Sequence, residues 1–176
     1  MITTSLENYL NNFGQKVVND AKKRLQSAKG STDLGKSIRF KVVPTATGFE
    51  TKFYMDSYGS YLDKGVSGNK VKQSYTNTKG ETVPSPGKGY TTKQPPPGIL
   101  SKWIKKKGIK GRDKKSGRFI TTMSLAFIIG RKIKRDGIKS LSFFQKPFGV
   151  EYDKLKKDIL DILKLDIQNY ITTFTK

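Results

Sequence analysis

Residues 38–55 read IRFKVVPTATGFETKFYM, two runs that alternate apolar and polar side chains about a break of small residues and proline. A period of two puts every second side chain on one face. IRFKVV and FETKFYM therefore predict half-buried strands, joined through PTATG as a hairpin. Towards the N-terminus the period changes: Leu6, Tyr9, Leu10, Phe13, Val17, Ala21 and Leu25 recur every three or four residues. That spacing predicts an amphipathic helix over 4–28, opened by a capping box of Thr4 and Glu7 and ended by Gly30. STDLGKSI (31–38) predicts a short helical turn leading into the first strand.

Towards the C-terminus, DSYGSYLDKGVSG (56–68) predicts a second short helical turn. It places Tyr58, Tyr61 and Leu62 on one side, as core or subunit-interface residues. Residues 65–98 show no apolar period, are rich in Gly, Ser, Thr, Lys and Pro, and end in QPPPG. They predict an extended basic loop that stays mobile until a partner orders it. ILSKWIKKKGI (99–109) predicts a short helix with Ile99, Leu100, Trp103 and Ile104 turned inward. The basic run after it is broken by Gly108, Gly111 and Gly117, which predicts a flexible loop.

FITTMSLAFIIGRKIKR (119–135) is apolar almost all round in its middle turns. It predicts a buried central helix ended by Gly137, with Met123, Phe127 and Ile128 in the core or between subunits. Phe143 and Phe144 join that set. Residues 148–174 predict a long C-terminal helix whose apolar stripe holds Tyr152, Leu155, Ile159, Ile162, Leu163, Ile167, Tyr170, Ile171 and Phe174. Asp153, Asp158, Asp161 and Asp166 fall on its charged, solvated face. The expected fold is α+β in a single domain over 1–176. A small antiparallel β-sheet packs against the N-terminal helix, the buried central helix and the long C-terminal helix.

The 176 residues carry 35 Lys/Arg against 14 Asp/Glu, a net charge of +21. Most of it is in the middle, where residues 64–139 hold 20 Lys/Arg against 3 Asp/Glu. A concentration of this kind seeks phosphates or acidic surfaces and responds strongly to salt. The candidate contacts with nucleic acid or an acidic partner are Lys70, Lys72, Lys79, Lys88 and Lys93 in the long loop, and Lys102, Lys105, Lys106 and Lys107 on the short helix. Lys110, Arg112, Lys114, Lys115 and Arg118 complete them in the run that follows. Lysines and arginines used this way neutralise phosphates without reading bases, so no sequence preference is expected.

Chemistry is excluded more firmly than it is suggested. The chain has no histidine and no cysteine, so imidazole bases, thiol nucleophiles, disulfides and the ordinary zinc sites are absent. No Walker or dinucleotide fingerprint occurs. GKGY (87–90) and GIKGR (108–112) are weak phosphate-cradle patterns in so basic a stretch. The acids are scattered, Asp56 and Asp63 lying seven residues apart, whereas a two-metal nuclease needs them clustered. No catalytic residue, metal or cofactor is expected, and the protein reads as a non-enzyme. No run approaches the roughly 18–20 apolar residues of a membrane span. The start is polar, without the order of a signal peptide, so folding in a cytoplasm is expected.

The leading helix, DLGKSIRFKV at the start of the hairpin, YGSYLDKGVSG after its second strand and LAFIIGRKIKRDGIKSLSFF at 125–144 together resemble the neck, or tail-completion, proteins of tailed bacteriophages. The resemblance implies a structural virion protein in a ring of six or twelve copies. Such a ring joins the portal of the head to the tail proteins, with DNA passing through its lumen. The alternative is a free, non-specific nucleic-acid-binding protein. A histidine-free nuclease ranks third.

Overall fold

The computed structural model describes residues 4–30 and 32–174, in twelve elements. In chain order they are α1 (Thr4–Lys29), α2 (Asp33–Ser37), β1 (Arg39–Thr45), β2 (Gly48–Tyr54), α3 (Gly59–Lys64), β3 (Val66–Ser67), β4 (Ser74–Thr76), β5 (Thr82–Pro84), α4 (Pro97–Lys106), α5 (Thr122–Asp136), β6 (Gly137–Ile138) and α6 (Gln145–Phe174). The fold is α+β. Its strands form three separate two-stranded sheets, β1-β2, β3-β6 and β4-β5. The chain forms two compact units. The first comprises residues 1–63, 76–82 and 141–176, and the second 64–75 and 83–140.

In the first unit, Gly30 ends α1 with φ 72° while its N–H closes the last turn on the Gln26 carbonyl at 2.7 Å. Thr32 caps α2 by accepting from the Gly35 N–H at 3.1 Å. The hairpin pairs Arg39 with Tyr54 through Thr45 with Gly48, so the strands run further into PTATG than the composition indicates. Its inner face, with Phe40 and Phe53 half-buried, packs beside Val18, Ala21, Leu25, Leu34, Ile38 and Phe143. Phe53, Phe144 and Phe148 meet one another at centroid distances of 5.4–5.9 Å. Phe143 is 1% exposed, and Phe144 and Leu62 pack against the same core.

Two carboxylates assigned above to ordinary surface or scattered positions are instead helix caps. Asp63, 2% exposed, accepts from the N–H groups of Phe144 at 2.8 Å and Gln145 at 3.4 Å, which open α6. Asp166 on α6 is 8% exposed and accepts from Leu6 N–H at 3.1 Å in the first turn of α1. Each satisfies amides that a helix start leaves without an internal partner, and places negative charge at the positive end of the macrodipole. The side chains of Thr4 and Phe174 lie outside the described residues, so the capping box and the last stripe position do too.

The stripe on α6 divides. Leu155, Ile159 and Ile162 are half-buried, but Leu163, Ile167, Tyr170 and Ile171 are exposed, because one neighbouring helix covers only one side of a thirty-residue helix.

Tyr9 ties α1 to α6 by donating its hydroxyl to Asp158 at 2.7 Å. Burial, then that bond, pushes the phenol up to about 12. Since the folded value lies above the unperturbed one near 10, the contribution is complete below pH ~10 and is lost as pH rises towards about 12. Urea midpoints measured from pH 9 to 12 should fall less steeply in Tyr9→Phe than in the native chain.

The second unit is held by backbone bonds more than by a large core. The 65–98 stretch, expected as one mobile loop, contains β3, β4 and β5. Asn69 N–H donates to Lys134 O at 2.9 Å, Lys70 N–H to Arg135 O at 3.0 Å and Tyr90 N–H to Ser67 O at 2.8 Å. Strands of two or three residues are too short to show a period, which is why the composition reads as loop.

α5 starts at its cap Thr121, later than Phe119, and Gly137 ends it with φ 80°. Its buried positions are Ala126 and Gly130, and Gly130 sits 3.3–3.4 Å from Pro95 and Leu100 measured from where its Cβ would stand. Small residues let α4 approach this face; of the large apolar side chains, Leu125, Ile129 and Ile133 are half-buried. Met123, Phe127 and Ile128 are 56%, 47% and 49% exposed, so the expected core burial of these three is overturned. On α4, Ile104 is buried and Leu100 half-buried, but Ile99 and Trp103 are exposed, contrary to the inward placement expected for both.

Candidate nucleic-acid interface

The second unit concentrates the charge: 19 Lys/Arg against 2 Asp/Glu, a net of +17 in a chain of net +21. Both acids have structural work. Asp136 pairs with Arg135 at 2.6 Å, and this bond holds its carboxyl below the usual range. Asp113 folds the basic run after α4 into a hairpin, correcting the expectation of a flexible loop there. Its Oδ1 accepts from Ser116 N–H at 2.8 Å, Lys115 N–H at 3.0 Å and Ser116 Oγ at 3.0 Å, which also lowers its pKa.

Two backbone bonds close the stem, Asp113 N–H to Arg118 O at 2.9 Å and Ile120 N–H to Gly111 O at 3.0 Å. Gly117 supplies the positive φ, 68°, that the turn needs. Lys114 and Lys115 stand exposed at the tip and Arg118 just beyond it. Across the stem the Arg112 guanidinium lies over the Phe119 ring at 4.3 Å.

α4 presents Lys102, Lys105, Lys106 and Lys107 to solvent with Trp103 among them, 44% exposed, and Lys110 follows in the link to the hairpin. Trp103 thus offers an aromatic face beside cations, the pairing that single-stranded nucleic acid uses for stacking. Phe119, 61% exposed, is a second such face. It escaped notice because its neighbours were read as the start of a helix; the alternation in GRFIT is the signal that marks it as strand-like. Lys70 and Lys72 are exposed, and the Lys70 amide is bonded to the C-terminal end of α5, which carries Arg131, Lys132, Lys134 and Arg135. Those four cations were absent from the sequence-derived set, and they also suit the negative end of the α5 dipole.

Lys88 and Lys93 are exposed in the same unit, whereas Lys79 belongs to the first unit. So do Tyr58 and Tyr61, 48% and 61% exposed; their burial in a core is overturned, since α3 turns only Leu62 towards the packed side chains.

Among the described residues no three acidic side chains gather in a way that could hold a metal ion. No described helix is long and apolar enough to cross a membrane. Comparison with protein-family models, with curated proteins and with solved structures finds no match.

Proposed function

We propose that this chain is a structural subunit of the neck of a tailed bacteriophage. In that reading it forms part of a ring of six or twelve copies joining the portal to the tail around the DNA path, and it is carried in the virion. The observation that carries the reading is the segregation of charge, +17 on a unit with two acids. A wall facing DNA benefits from that field. Exposed Met123, Phe127 and Ile128 on α5 supply the apolar surface a subunit interface uses.

The juxtaposition of YGSYLDKG with SLSFF supports the reading further. Leu141 N–H donates to Leu62 O at 3.0 Å and Ser142 N–H to Asp63 O at 2.9 Å, so the segments carrying the resemblance form one structural element. The exposed Trp103 favours the second reading, a free nucleic-acid-binding protein acting alone.

Sizing chromatography, alone and with portal and tail partners, combined with duplex titration across salt separates the two. A neck subunit enters a complex of six or twelve copies with those partners. A chain that binds duplex tightly as a monomer and joins no such complex overturns the proposal.

A further inference from the structure

The first unit holds a cavity of ≈ 310 Å³ between the N-terminal part of α6 and the Asn77–Gly80 turn. Its volume is at the small end of the roughly 300–1,000 Å³ typical of ligand sites. Arg24, Lys79 and Lys146 line it, together with Thr76 and Thr78. Among the described residues none of the three cations is in an ion pair. The cavity's carboxylate, Asp153, is held by Lys156 at 2.6 Å.

The wall is rigid. Asn77 Oδ1 accepts from Lys79 N–H at 2.9 Å and Glu81 N–H at 3.0 Å, while its amide donates to Glu81 Oε2 at 2.9 Å and holds that acid to the turn. Buried Gly149 allows α6 to lie against the Thr78 carbonyl, where a Cβ would collide.

Two lysines, an arginine and two threonines lining a small cavity can supply donors for a multiply charged, oxygen-rich anion. We propose that this cavity is a site for a phosphate group, taken either from a nucleic-acid backbone or from a free phosphate compound. The hairpin and α4 lysines of the second unit play no part in it, so it stands or falls separately from the neck reading.

The test is amide NMR of the full chain titrated with inorganic phosphate against chloride at constant ionic strength. Saturating shifts are expected at Thr78, Lys79, Gly80 and Gly149. They should vanish in Arg24→Gln/Lys79→Gln/Lys146→Gln and persist in Lys114→Gln/Lys115→Gln. Lys79→Gln alone, on an exposed turn, should weaken phosphate several-fold and serves if the triple variant fails to fold. Absence of saturation in the native chain, or an undiminished response in these cavity variants, overturns the site. A short duplex that shifts the same amides identifies the backbone as the source. A response to inorganic phosphate with none to duplex identifies a free phosphate compound.

Discussion

Replacing Lys105, Lys106, Lys107, Lys114 and Lys115 with glutamine is expected to lower association with duplex DNA on the order of 10⁴-fold at 0.1 M salt. Each phosphate contact contributes about 0.9 to the dependence of log K on log salt, so five contacts remove about 4.5 from the slope. These side chains are exposed on α4, the link that follows and the hairpin tip, so the fold should survive. Lysines acting as point charges are interchangeable, and each single replacement should change affinity by less than about tenfold. Salt-dependent titrations of the native chain and the variants check this. Loss of all binding on one substitution, with its neighbours silent, would mean a specific site and defeat the electrostatic reading.

Phe143→Ala should be the most damaging of the simple truncations. Its ring is 1% exposed in the core shared by α1, α2 and the β1–β2 hairpin. Emptying such a site costs about 3–5 kcal/mol, against roughly 5–15 kcal/mol for a whole domain. Phe127→Asp gives the contrasting result. On sequence alone a charge there would be expected to abolish soluble folding or assembly, but at 47% exposure the carboxylate remains in water and the monomer should keep its urea midpoint. If α5 forms the subunit contact, the same substitution blocks assembly. Urea denaturation and sizing of both variants distinguish the core from the interface, and an unfolded Phe127→Asp would restore the buried helix.

What was legible in the sequence follows the range of the forces concerned. Repeating apolar periods marked α1, the β1–β2 hairpin and α6, and Gly30 and Gly137 marked helix ends, because those signals lie within a few residues of each other. The buried side of α5 was not legible. Periodicity counts large apolar residues, whereas Ala126 and Gly130 make the close contact. Asp63 and Asp166 read as ordinary surface acids because the amides they satisfy are 81 and 160 positions away. At the basic site the residue types were readable, but the hairpin that presents Lys114 and Lys115 depends on Asp113, whose turn-forming role DKKSG signals and a count of charges conceals.

The division of the chain into units has a consequence for biosynthesis. All but seven residues of the interval 64–140 belong to the second unit, and every residue of that unit lies within the interval. It can therefore have all of its residues in place before α6 is made. The first unit cannot, because Leu6 awaits Asp166 and Tyr9 awaits Asp158. Until α6 is made, the N-terminal part of α1 presents Leu10 and Phe13, both destined for burial, to solvent. In that interval the nascent chain is open to wrong partners, and it closes with the arrival of α6.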